Sequence, residues 1–187
     1  MCGKFFVDYD DEKAKKLIEE AFKNKRKKEY EQIHFFGGEV FPGMAVPVIC
    51  KDGATLMKWG FPPLLADKKD HINIRSETAA NLKTFSEAMI SRRCVIPANA
   101  YYEWQRLDNK KIPYEFTLTD RELFYLAGLF SSDEKFAILT KEAIPKFMPI
   151  HHRMPVIIPE YLLNDWLSKS YSCMQESLID LHEKVFK

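Results

Sequence analysis

The chain has 187 residues, 46% of them hydrophobic and 13% aromatic, and its 28 basic side chains nearly balance its 27 acidic ones at a net charge of +1. This length suits one domain, residues 1–187, and the apolar content excludes a disordered chain. The charge balance excludes a uniformly basic coat, although a local basic groove is compatible with the same total.

Residues 4–8 read as a short strand. Asp10 or Asp11 then caps a helix whose apolar stripe is Ala14, Leu17, Ile18, Ala21 and Phe22. It ends in the basic run 23–28, which reads as a solvated turn or as a nucleic-acid contact. Residues 39–50 are strand material broken by Pro42-Gly43, and 54–59 form a further strand closed by Gly60-Phe61-Pro62-Pro63. A polar loop over 64–72 leads to a helix predicted from Ser76 to about Ser91, with Leu82, Phe85, Met89 and Ile90 on its buried side.

From Arg93 the pattern changes to strands: 94–97, 100–104, 114–119, 123–130 and 135–140, with turns at 108–110 and 131–133. Alternation places Tyr102 and Trp104 on one face and Tyr101 and Glu103 on the other. After a loop at 145–149, residues 154–158 read as a strand, and Pro159 starts a short helix holding Leu162, Leu163, Trp166 and Leu167. The tail has weak helical spacing at Leu178, Leu181 and Val185. Mostly antiparallel strands with about three helices define an α+β domain.

Cys2, Cys50, Cys94 and Cys173 contain no CxxC pair, and the five histidines make no zinc-finger spacing with them, so neither a metal nor a cofactor is expected. Charges at Lys4, Asp8, Asp10 and Asp11 interrupt the start before any signal-peptide core, and no apolar run approaches the ~18 residues of a membrane span. Free thiols in a reducing cytoplasm follow as the expectation.

Cys2 is the unusual residue. Removal of Met1, expected before a small residue, leaves a terminal cysteine bearing an amine near pKa ~8 and a thiol near ~8.5. Such an aminothiol can condense with an aldehyde, the amine giving an imine and the thiol closing a thiazolidine ring. The alternative is a cysteine that merely follows the start codon. Asn73 and Arg75 precede Ser76-Glu77 at a loop-to-helix junction, where helix amides and a guanidinium suit a phosphate, or where the helix is simply capped. Glu103 among aromatics would be desolvated and raised in pKa, unless it faces solvent. His151 is a candidate proton shuttle, and Arg153 a partner for a carboxylate or a phosphate. Phe41-Pro42-Gly43 and Trp59-Gly60-Phe61-Pro62-Pro63 read as stacking shelves or as core and turns.

Taken together, several motifs resemble the SOS-response-associated peptidase family, whose members crosslink themselves to abasic sites in single-stranded DNA. The resemblance spans nearly the whole chain: Met1-Cys2-Gly3, Phe41-Pro42-Gly43-Met44, Trp59-Gly60-Phe61-Pro62, residues 73–78, 92–98 and 101–104, Ala127-Gly128-Leu129-Phe130, and residues 150–155. It implies a curved, barrel-like antiparallel sheet with a positive groove leading to the terminal cysteine. By position, it implies Cys2 as nucleophile, Asn73 beside the amine and sugar, Glu103 as catalytic carboxylate and His151 as the motif histidine. Arg75, Lys4 and Arg153 would contact DNA, with Trp59 and Pro42 blocking duplex stacking beside the lesion. The implied partner is single-stranded DNA containing an abasic site, bound by a monomer. A cysteine peptidase using Cys2 and His151, or a non-covalent single-strand binder, are the alternatives. Three residues depart from the family pattern: Lys4 replaces an arginine, His152 an acidic residue and Ile74 a smaller one.

Overall fold

In the computed structural model, which describes residues 2–25, 28–31, 33, 35, 37–65, 68–108, 110–119, 122–168 and 181–185, Asp11 opens the first helix. Its Oδ1 accepts from the amides of Lys13 and Ala14 at 2.8 and 3.0 Å, two donors that a first helical turn cannot satisfy internally. The helix, α1 (Glu12–Lys23), follows strand β1 (Phe5–Val7) and buries Ala14, Ile18 and Ala21.

Strands β2 (Gly38–Val40), β3 (Ala45–Cys50), β4 (Gly53–Trp59) and β5 (Asn73–Arg75) come next, then helices α2 (Ser76–Ala79) and α3 (Ser86–Ser91). Five longer strands follow: β6 (Arg93–Ala98), β7 (Ala100–Leu107), β8 (Lys110–Thr117), β9 (Phe124–Phe130) and β10 (Lys135–Glu142). Short strands β11 (Arg153–Pro155) and β12 (Ile157–Ile158), helix α4 (Leu163–Ser168) and strand β13 (His182–Val185) complete the described chain.

These strands form two sheets. The first has the order β13-β8-β7-β1-β2, so the strand nearest the amino terminus is an interior one. Phe5 stands opposite Val40 on one side and Tyr101 on the other. The second sheet runs β11-β10-β4-β3-β6-β9-β12, with β5 beside β10. Because β10 also pairs with β9, this sheet curls into a ring. It stops short of a closed barrel, since β4 meets β10 only at Lys58–Lys135 and Trp59–Phe136. The α+β class read from the sequence is the class observed.

Between the sheets, Trp59 stacks on Phe136 at 6.2 Å and tilts against Phe5 at 5.2 Å, while Tyr101 stacks on Phe116 at 4.6 Å. Each such ring contributes about 2–3 kcal/mol by leaving water.

Several expected elements differ. The helix expected over 76–91 is two short helices, α2 and α3, and Leu82 and Ile90 are exposed at 46% and 73% while Phe85 and Met89 are buried. The chain breaks because Asn81 and Leu82 donate three residues back, to Thr78 and Ala79, tightening a turn that redirects it. Residues 73–75, expected at a loop-to-helix junction, form β5 in parallel register with Ile138–Thr140. The strand expected over 154–158 divides at Val156, whose amide bonds to Leu139 while Ala127 donates to its carbonyl. The helical tail is overturned where it is described: residues 182–185 are strand β13, paired with β8. Leu178 and Cys173 lie outside the described residues, as do Arg26 and Lys27 of the basic run.

Candidate active site at the amino-terminal cysteine

Cys2 precedes β1 by three residues and inherits its position from that strand. β1 is held on both sides, and Tyr102 donates its amide to Lys4 O at 3.0 Å, extending the β7 contact toward the terminus. Cys2 is fully buried, and its Sγ donates to the same Lys4 carbonyl at 3.6 Å. Burial pushes the thiol well above the ordinary cysteine range, and the negative charge of Glu103 adds to the rise. The thiol is therefore protonated in the resting site.

Asn73 reaches Cys2 from the other sheet. Its Nδ2 donates to Cys2 O at 2.8 Å, 71 positions away in sequence. Its buried Oδ1 accepts nothing among the described residues. Strand β5 makes this contact possible, because pairing with β10 turns Asn73 and Arg75 to a common face.

Glu103 lies in β7 opposite Tyr114 and is 3% exposed. Burial raises its carboxyl to about 7, against the opposing pull of the positive amino terminus. It is therefore close to half-ionised at neutral pH, the condition under which one group both gives and takes a proton.

His151 shares a cleft of about 230 Å³ with Glu103, Trp104, Arg106 and Lys111. Its Nδ1 lies 3.0 Å from the Arg153 amide and 3.1 Å from the Arg153 carbonyl. The amide donates to Nδ1 in the Nε2–H tautomer, and a protonated Nδ1 donates to the carbonyl in the other, so the Arg153 backbone holds the ring in either form. Burial lowers its pKa first, and the amino terminus, His152 and Arg106 lower it further. His152, one of the departures from the family pattern, stacks on His151 at 4.5 Å.

The expected DNA contacts separate into two groups. Arg75 is exposed and has no ion pair among the described residues. The helix it precedes, however, has only four residues, too few for the amide dipole expected to help it. Pro42 is exposed beside Phe41, at 44%, in a turn that Gly43 enables with φ 92°. By contrast, Trp59 is 1% exposed and its Nε1 donates to Ile72 O at 2.8 Å, so no face remains for a base. Arg153 forks onto Glu77 at 2.7 and 2.8 Å and onto Thr140 O at 2.6 Å. That is the carboxylate partner rather than the phosphate, and it holds Glu77 below the usual carboxylate range. Lys4 pairs with Glu39 at 2.5 Å and lies 4.4 Å over the Tyr102 ring, so it acts from within the wall of the site.

Sequence reasoning missed Glu115 and the cation pair at the cleft mouth. Glu115 is fully buried, accepts from Tyr102 Oη at 2.9 Å and pairs with Lys184 at 3.0 Å. Arg106 and Lys111 stand directly opposite one another across β7 and β8. The expected turn at 108–110 would have set Arg106 opposite Ile112, one position away from the observed register. Among the described residues, no three His, Cys, Asp or Glu side chains gather as a metal site, and no helix is long and apolar enough to cross a membrane.

The family model for SOS response associated peptidase (SRAP) matches residues 1–186. Among curated proteins, the chain is 34% identical to the abasic site processing protein YoaM of Bacillus subtilis, over 90% of this chain and 79% of that one. It is 26% identical to the abasic site processing protein YedK of Escherichia coli, over 96% and 85% of the two chains. A crystal structure of a protein from Bordetella bronchiseptica superposes with a TM-score of 0.75 at 26% identity, covering 100% of both chains.

Proposed function

This chain belongs to the SOS response associated peptidase (SRAP) family, and we propose that it processes abasic sites in single-stranded DNA by crosslinking itself to them through Cys2. The observation that carries the proposal is the convergence on Cys2 of Asn73, bonded to its carbonyl at 2.8 Å, and of Glu103, whose charge acts on its thiol. The names of the relatives supply the substrate, an abasic site.

Removal of Met1 by an aminopeptidase frees the Cys2 amine. The amine attacks C1 of the ring-opened deoxyribose, and the carbinolamine loses water to give an imine. Glu103, titrating at about 7, gives the proton that lets water leave. The Asn73 amide steadies Cys2, and its vacant Oδ1 accepts from the new amine or from a sugar hydroxyl. The thiol then adds to the imine carbon, its proton passes through the ionised Glu103 to the nitrogen, and a five-membered thiazolidine closes. One water is lost overall. In its Nε2–H tautomer, neutral His151 donates to the ring oxygen as the sugar opens. Arg75 holds a flanking phosphate, and Phe41 with Pro42 forms the exposed shelf against which an unpaired base rests. The acting form is a cytoplasmic, single-domain monomer with abasic single-stranded DNA as its partner.

The protonated, buried thiol argues against a peptidase, which needs a ready thiolate. The test is an adduct with abasic single-stranded DNA that survives denaturation. Wild type is expected to give it and Cys2→Ser to lose it. Cys2→Ala keeps an amine, so the imine persists and the outcome shifts toward strand nicking by β-elimination. Equal adduct from Cys2→Ser, or neither product from Cys2→Ala, defeats the chemistry. Iodoacetamide-sensitive cleavage of a fluorogenic peptide would support the peptidase instead, and binding that high salt abolishes entirely would support a simple binder.

A further inference from the structure

Arg106 and Lys111 are directly opposed across the antiparallel pair β7–β8, which points both side chains to the same face. Like charges in opposed positions repel and destabilise a hairpin. Neither has an ion-pair partner among the described residues, and both line the cleft that holds Glu103 and His151. The charge of Arg106 also reaches His151, helping to keep that imidazole neutral. A second hollow, of about 490 Å³, adjoins this cleft and is lined by Trp104, Arg106, Met148, Ile150, His151 and His152. Aromatic and apolar lining beside unpaired cations is what a nucleotide outside a duplex requires: a charged contact for its phosphate and a floor for its base.

We propose that Arg106 and Lys111 form a phosphate clamp that seats one phosphodiester of the DNA strand carrying the lesion, adjacent to the abasic sugar held at Cys2. The proposal rests on the reading of Cys2 as the abasic-site residue, because that reading fixes which strand enters the cleft. Binding the phosphate neutralises the repulsion between the two cations, so their unfavourable placement in the free protein is relieved in the complex. The clamp lies on the Glu103 and His151 side of Cys2, whereas Arg75 extends from Asn73.

The experiment measures non-covalent affinity, in a Cys2→Ser background, for a short single strand bearing a tetrahydrofuran abasic analogue. Affinity is followed across salt concentrations for the parent, Arg106→Gln, Lys111→Gln and the double substitution. Each lost phosphate contact lowers the slope of log affinity against log salt by about 0.7 for a single strand. The double substitution removes the single phosphate held by the clamp and is therefore expected to lower it by about 0.7. Methylphosphonates placed one linkage at a time locate the contact. One linkage beside the lesion should weaken the parent markedly and leave the double variant unaffected. In the free state the double variant should melt at the same or a higher temperature, which shows that it folds. An unchanged slope, or a methylphosphonate penalty that is the same in parent and double variant at every linkage, overturns the clamp. These readouts need no covalent step. A wild type that forms no adduct thus defeats the chemistry proposed above without deciding this site.

Discussion

Glu103 gives the site its dependence on pH. Its folded pKa, about 7, lies above the value near 4.3 of an unfolded glutamate. A carboxyl raised in this way is tolerated when protonated and costs free energy when ionised. Stability contributed by the neutral form is present below about pH 4 and is lost as pH climbs through 7. Glu103→Gln removes that loss. The variant is expected to gain stability over wild type between pH 4 and 7, levelling off above 7 at about 4 kcal/mol at most, read from denaturant unfolding at several pH values. A difference that shrinks as pH rises would contradict a buried carboxyl. The same variant should form adduct more slowly at every pH. The residue types at positions 2, 73 and 103 suggested this chemistry in the sequence only in combination, each beside an ordinary alternative; burial of Glu103 removes the solvent-facing one. Trp59 and Arg153 were not legible in the same way. Whether a tryptophan meets a base or a phenylalanine, and whether a guanidinium meets a phosphate or Glu77, depends on neighbours far away in sequence.

Among the elements, β9 has little room to change. Gly128 pairs with Cys94 on one side and Ile138 on the other. A Cβ there would lie 2.7 Å from Ile96 Cδ1 and 3.0 Å from both Ala137 O and Cys94 Sγ. Gly128→Ala is expected to destabilise by about 1–3 kcal/mol through overpacking, seen as a lower melting temperature. An unchanged melting temperature would mean that the strand gives way freely. Most strands were readable from alternation and turn residues, and Asp11 was readable as a cap. The break in the 76–91 helix was not, since Leu82 and Ile90 have helical spacing but find nothing to pack against. Strand β5 was missed because three residues hold too short a pattern. Its identity comes from β10, 65 positions further on.

For the molecule as a whole, the two ends of the described chain meet in one sheet. Lys184 of β13 pairs with buried Glu115 of β8, which receives the Tyr102 hydroxyl, and the Tyr102 ring lies under Lys4. The far strand thereby supports the wall behind Cys2. Lys184→Met is expected to cost about 1–2 kcal/mol, the ammonium being largely solvated, and to slow adduct formation as the wall loosens. A variant as stable and as fast as wild type would show that the ion pair contributes nothing. This link was beyond the sequence, where the tail's spacing suggested a helix and Glu115 had no visible partner.

The interior position of β1 has a consequence for synthesis. Phe5 and Phe6 pair with Val40 and Glu39 on one side, but their other flank, Tyr101 and Ala100, is made by the ribosome almost a hundred residues later. At 5–20 residues per second, β1 lacks that second flank for roughly 5–20 s. An aminopeptidase thus has time to trim the first residue before folding draws the second out of solvent. The topology that hides the nucleophile in the finished protein also postpones its concealment until maturation is done.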